Sequence, residues 1–497
     1  MRKQSVSMLL ALFTVLSSAS CGNASETDDI KDSTEMSDST TAEEGGKYID
    51  DLPEDLDFGG ETVTFLYREE KADEFYSDAS DGEVVNDALY DSIRSVEERL
   101  NVSVEAILRP GHYTDVRQGY MDHIKSSVLA GDDTYDFVDL MAGNSPVMMQ
   151  DGIFADLTEN RYIDLSKPYY MGGLVDKCAI DGKLFFTSGD ASLGYLKCAF
   201  CMYFNQRIGE EHDIGDLYAL VDSGKWTLDK LIEITAVASR DINGDGKFDE
   251  NDRLGFVVHD NNHPWGLLGS TGSVMYSKSA GDEWTFTYGS ERDADVCSKI
   301  YKLFFTTQGG WFPDITNGHP AHLEQYNGIT SKFVSGEIFI MTAEVDDSVN
   351  QIRDMKDDYG ILPYPKYDET QKDYISLSRS THNAFSMPVT CSDKDMAGAV
   401  LEALSSSNHE KVLPAYYETA LKKKYSRDDD SARMYDLITS GLSVDFGYVY
   451  NNAIGSPVTV FGNSYRKENS FASNLAKAQN GLETSLGKYL EKLRSSF

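Results

Sequence analysis

The chain has 497 residues, with 82 Asp and Glu against 45 Lys and Arg, for a formal net charge of −37. Repulsion from phosphate excludes a nucleic-acid partner, and the same repulsion excludes simple adsorption to anionic lipid. At this length one continuous core is not expected, and two lobes are the natural arrangement.

Arg2 and Lys3 open the chain, Met8–Leu16 is apolar, and Ser17–Ser20 lead into Cys21 through small residues. The apolar run is too short to span a bilayer, so it reads as a secretory leader. A cysteine placed this way resembles the lipobox of bacterial lipoproteins, although Ser18 stands where that pattern usually has Leu. The resemblance implies lipidation at Cys21 and a location on the extracellular face of the cell membrane. Residues 22–58 are rich in Ser, Thr, Asp and Glu and read as a disordered acidic linker, since they cannot bury enough surface to offset their ordering entropy.

Glu61–Tyr67 alternates as a strand. Val85, Ala88, Leu89, Ile93, Val96 and Leu100 fall at helical spacing. A strand at Asn101–Glu105, a helix through Val116, Tyr120, Ile124 and Val128, and a strand at Tyr135–Leu140 follow. This alternation predicts an α/β fold with mostly parallel sheets. Ligands bind beyond the C-terminal ends of such strands, which makes Arg68 and Asn144 candidate ligand residues. Further strands are expected at Lys183–Phe186, Cys198–Phe204 and Gly336–Met341. Thr227 is expected to cap a helix from Leu228, Ser392 one carrying Met396 to Leu404, and the chain to end in an amphipathic helix from Ser470. Cys198 and Cys201 form a C-x-x-C, but in a strand-like apolar run, where residues three apart face opposite ways. They read as buried structural thiols rather than a redox pair, which wants a helix N-terminus.

Residues 241–252 carry oxygen donors at the spacing of a calcium loop, with Gly246 at the sharp turn. Asp241, Asn243, Asp245, Lys247, Asp249 and Asp252 are the candidate ligands for a structural Ca²⁺. Position 12 is Asp rather than the usual Glu, which resembles a dockerin-type loop. No nucleophile elbow, phosphate loop or His-Glu-x-x-His motif occurs. A carboxylate pair for glycoside cleavage meets only in space, so a carbohydrate-active enzyme stays as an alternative to a non-catalytic protein.

Val84–Tyr90 with Val96–Val102, Ile163–Pro168 with Ile180–Phe185, Tyr203–Asn205, Gly224–Thr227 and Tyr359–Pro365 resemble, in this order and spacing, the extracellular solute-binding lipoproteins of carbohydrate-type ABC importers (family 1-like). The resemblance implies a two-lobed, periplasmic-binding-protein-like (type II) fold with crossover hinge strands. It places crossings near Ser188–Asp190, Thr342–Glu344 and Ser380–His382. Lobe 1 would be residues 59–190 plus 382–440, and lobe 2 residues 191–381 plus 441–497. It implies a monomer that captures an oligosaccharide, with a peptide as the alternative ligand, and delivers it to membrane permease subunits. Asp190, Glu344, Arg379 and His382 sit at the implied crossings as candidate hydroxyl binders. Trp265 and Trp311, flanked by turn residues, are candidate sugar-stacking rings, whereas Trp226 reads as core.

Overall fold

The computed structural model describes residues 48–312, 327–416 and 429–496, so the expected lipidation at Cys21 lies outside the described residues. The expected alternation appears as β1 (Glu61–Arg68), α1 (Val84–Leu100), β2 (Val102–Arg109), α2 (Thr114–Leu129) and β3 (Phe137–Met141). A second series contains β4 (Phe200–Asn205), α3 (Leu228–Ala238), β5 (Leu254–Val257), α4 (His263–Ser270), β6 (Gly310–Trp311), α5 (Asn327–Val334), β7 (Ile338–Glu344) and β8 (Tyr359–Leu362). β9 (Asn383–Ser386), α6 (Lys394–Pro414), α7 (Asp429–Ser440) and α8 (Phe471–Arg494) follow.

Two sheets organise these elements. The first has the order β9-β3-β1-β2, with β2 and β3 parallel to β1 and β9 antiparallel to β3. Its alternation works as the period of two requires. Val63, Phe65 and Tyr67 pack with Ile93, Val96 and Leu100 of α1 and Val400, Leu401 and Leu404 of α6. Leu66 turns the other way, to Tyr120, Ile124 and Val128 of α2. Both faces are therefore covered, the usual condition of a parallel sheet. Phe75 stacks on Tyr67 at 4.8 Å and lies 4.9 Å from Phe65, and such ring pairs add about 0.5–1.5 kcal/mol each beyond their buried area.

The second sheet has the order β8-β4-β7-β5-β6, in which β5 is parallel to β6 and β7, and β4 is antiparallel to β7 and β8. Every residue of β4 is buried. Thr227 caps α3 by accepting from the Lys230 N–H at 3.3 Å. Trp226 is buried, and its indole N–H donates to the Pro363 carbonyl at 2.8 Å. Cys198 and Cys201 are both buried free thiols, although Cys198 ends a short helix just before β4 and only Cys201 lies on the strand.

Two of the segments that pass between the sheets are adjacent. Thr187 and Phe385 exchange both backbone hydrogen bonds, at 2.9 and 2.8 Å, and Ala199 pairs with Ser378. Segments 187–199 and 378–385 thus run side by side and contain Ser188–Asp190 and Ser380–His382. Thr342–Glu344 is not a crossing, because β7 is followed by β8, which pairs in the same sheet.

Four further expectations need correction. The acidic linker does not extend to residue 58, since Arg99 binds Asp50 at 2.7 and 2.8 Å, covers the Tyr48 ring, and Leu52 is buried. Helix α7 belongs with the second sheet rather than with lobe 1, because it packs on β8 and sends Ser431, Arg433 and Tyr435 to Tyr218, Asp222 and Ser348. Lys183–Phe186 forms no strand; Asp181 and Gly182, both at positive φ, close a tight turn between Ile180 and Lys183 instead. Asp393, not Ser392, caps α6, accepting from the Met396 N–H at 2.9 Å.

Candidate functional site

A cavity of about 1140 Å³ opens between the two sheets. The first sheet's side contributes Lys71, His112, Tyr113, Thr114 and Arg117, from the loops beyond β1 and β2 and the first turn of α2. The second sheet's side contributes Thr330, Ser331, Glu344, Asn350 and Gln351. Cys198, Arg379 and Thr381 come from the paired crossing segments.

The loop beyond β2 is built tightly. Glu70 accepts from the N–H groups of Gly111 and His112 at 3.0 and 3.2 Å. A Cβ at Gly111 would stand 2.7 Å from the Tyr120 ring, so only glycine fits there. Beneath the loop lies Arg68, 1% exposed, whose Nε donates to Asp139 at 2.7 Å. Its Nη1 donates to the Thr381 carbonyl and to His112 Nδ1, both at 3.2 Å. Burial, reinforced by Arg68, Lys71 and Arg117, pushes the His112 imidazole down to about 3. The ring is therefore neutral with Nδ1 as acceptor, because arginine can only donate. The result is a rigid shelf that carries Tyr113 outward, 62% exposed.

On the second sheet's side, Arg379 holds Glu344 at 2.7 Å and Asp260 at 2.9 Å. Asp347 accepts from the Glu344 N–H at 2.9 Å and from Gln351 Nε2 at 2.7 Å. Burial pushes the Glu344 and Asp347 carboxyls up, and Arg379 opposes the rise. Burial also pushes His263 down to about 3, leaving it neutral 3.8 Å from Glu344. This side presents one guanidinium held between carboxylates, beside the neutral hydrogen-bonding groups of Thr330, Asn350 and Gln351.

Of the residues singled out in the sequence, Glu344 and Arg379 line this cavity. Arg68 does not; its charge is consumed by Asp139 under the shelf. Asn144 precedes a short helix and is absent from the lining. Asp190 is bound to His409 at 2.6 Å and lines a different cavity of about 510 Å³. Trp265 lies within α4 and packs on Tyr448 and on Phe461, 4.9 Å away, so it is no protruding loop ring. Trp311 is 2% exposed in β6. His382 is buried against Tyr195 and donates through Nδ1 to the Arg379 carbonyl at 2.8 Å, closing the turn that presents Arg379.

Tyr113 and Arg117 were missed. The rule that ligands bind beyond strand ends was applied to β1 and β3 but not to β2, whose end, Pro110–Tyr113, leads directly onto the cavity.

Among the described residues no three His, Cys, Asp or Glu side chains converge to hold a metal ion. In the 241–252 loop the carboxylates accept from the loop's own backbone. Asp241 takes Gly244 and Gly246, Asp245 takes Lys247, and Asp252 takes Ile242 and Asp249.

No family model matches the sequence, and no curated relative does either. Solved structures match in fold. An ABC substrate-binding protein of Listeria monocytogenes in complex with cycloalternan aligns at TM-score 0.53 and 12% identity, over 86% of this chain and 99% of that one. The galacto-N-biose/lacto-N-biose I-binding protein of Bifidobacterium longum aligns at TM-score 0.52 and 11% identity, over 88% and 98%. A sugar transporter protein of Rhizobium etli in an open conformation aligns at TM-score 0.54 and 14% identity, over 86% and 99%. The fold is that of the two-lobed solute-binding proteins. The two sheets are the cores of its lobes, and segments 187–199 and 378–385 run between them.

Proposed function

We propose that this protein captures a carbohydrate in the cavity between its lobes and delivers it to an ATP-driven importer. The carrying observation is the make-up of that cavity. One side offers an exposed aromatic ring, Tyr113, on a rigid shelf, and the other offers amide, hydroxyl and guanidinium groups. Sugars are held in this way, with apolar C–H surface against a ring and hydroxyls on polar side chains. The fold-level likeness to sugar-binding transport proteins supports the reading as an analogy. Closure follows when ligand contacts both lobes and so favours the closed state over the open one. The reading is one of capture and release by a monomer, without a bond-making step. We extend the proposal to a lipid tether at Cys21, on the strength of the leader and the acidic segment behind it. We extend it also to a structural Ca²⁺ at 241–252, supported by the donor spacing and by Gly246 at φ +76°. The loop carboxylates would have to draw together around the ion.

A thermal-shift screen against a panel of oligosaccharides, followed by calorimetry, tests the function. Tyr113→Ala is expected to weaken the best saccharide roughly tenfold or more, from a stacking contribution of about 1–3 kcal/mol by analogy with base–aromatic stacking, without lowering the melting temperature of the free protein. Trp265→Ala is expected to do the reverse. Short peptides in place of saccharides as the stabilising ligands, or an unchanged affinity in Tyr113→Ala, would reject the assignment.

A further inference from the structure

The charged groups of the cavity are not equally occupied. Arg379 is held by Asp260 and Glu344, and Lys71 donates to Glu74 at 2.8 Å. Arg117 differs. Among the described residues no carboxylate lies within ion-pair distance of it. Its Nε and Nη2 both donate to one acceptor, the His112 carbonyl, at 3.3 and 2.9 Å. Those two bonds fix the guanidinium plane against the shelf and leave Nη1 without a partner among the described residues. Glu70, which reaches the shelf from beyond β1, is spent on the backbone N–H groups of Gly111 and His112.

Of the described cations that line the cavity, Lys71, Arg117 and Arg379, Arg117 is the one in this position. Arg68 and Lys71, its neighbouring cations, are each paired with a carboxylate, Asp139 and Glu74, and His112 is kept neutral. Tyr113, four residues before Arg117, presents the ring on which a pyranose would lie. Across the cavity Arg379 lies against Glu344 at 2.7 Å and offsets that carboxylate in part.

Resting on the function proposed above, we infer that the ligand is an acidic saccharide, a uronate-containing oligosaccharide whose ring stacks on Tyr113 and whose carboxylate is taken by Arg117. Arginine suits that role because its planar fork matches a carboxylate. The overall negative charge does not forbid it, since charges farther off than the Debye length, about 8 Å in physiological salt, are largely screened.

The test is calorimetry on the full mature chain with oligosaccharides of galacturonate, mannuronate and glucuronate, each paired with its carboxyl-reduced neutral counterpart. At least one acid is expected to bind tenfold or more tighter than its counterpart. Arg117→Gln is expected to erase that preference while leaving the neutral counterpart's affinity within about twofold, and Arg117→Lys to restore part of it. Neutral saccharides that bind as well as or better than every acid would overturn this inference and leave the carbohydrate reading intact. Binding of no saccharide at all would overturn both. An acid preference that survives in Arg117→Gln would refute the assignment to Arg117.

Discussion

Asp139→Ala is the most informative single perturbation of the shelf. Asp139 is fully buried and accepts from Arg68 Nε at 2.7 Å, Nη2 at 3.2 Å and backbone N at 3.3 Å, and from Asn383 Nδ2 at 3.0 Å. It ties β1, β3 and β9 together. Removing one partner of a buried pair typically costs about 3–5 kcal/mol, because the other charge is stranded. Arg68 would keep three neutral acceptors, His112 and the Thr381 and Leu140 carbonyls, so the low end, about 3 kcal/mol, is expected. Urea unfolding measures it as a lower midpoint with an unchanged slope. The Arg68→Met, Asp139→Leu double variant should recover most of the loss, since an apolar pair replaces a buried ion pair at little cost. It should still weaken ligand binding, because the shelf loses its fastening to His112 and Thr381. A loss under about 1 kcal/mol in Asp139→Ala, or a double variant as unstable as the single one, would refute the stranded-charge argument.

Three further expectations follow from other parts of the chain. Glu402, buried and bonded by the Tyr169 and Tyr170 hydroxyls, is pushed up to about 7 chiefly by burial. Its folded value lies above the unfolded one, so the folded state holds the extra proton between about pH 4.5 and 7 and loses stability as pH rises through that window. Glu402→Gln should remove that slope, by an amount on the order of 3 kcal/mol across the window, and equal slopes in the two proteins would contradict it. Calcium at a hundredfold excess over its dissociation constant should raise stability by about 2.7 kcal/mol and Asp241→Ala should abolish the effect; a melting curve unmoved by chelator would leave the 241–252 loop as a series of turns. Cys21→Ala should shift the protein from the membrane fraction to the medium in the producing cell, and unchanged fractionation would end the tether proposal.

The alternation from β1 to β3 was legible because periods of two and 3.6 are set by neighbouring residues and need no knowledge of the rest of the fold. The burial of Trp226 and Cys201 was legible for the same reason. Glu344 and Arg379 were named because the family resemblance implied crossings near them, not because local pattern marked them. Trp265 was misjudged because its Pro and Gly neighbours read as a turn, while in the structure Pro264 sits in the first turn of α4 and the indole packs on Tyr448 and Phe461, almost two hundred residues away.

The sequence by itself determined the strand–helix order, the faces of those elements and the two-lobe class, all of which follow from local patterning and chain length. Only the tertiary structure decided which side chains meet at the cavity. Arg68 donates to the carbonyl of Thr381, 313 residues onward, and that bond, together with Asp139, turns a candidate ligand group into the support for one. It also left Arg117, among the described cations that line the cavity, without a carboxylate. Whether a charge is spent or available depends on partners that only chain folding brings within 3 to 4 Å, and no spacing along the sequence encodes that distance.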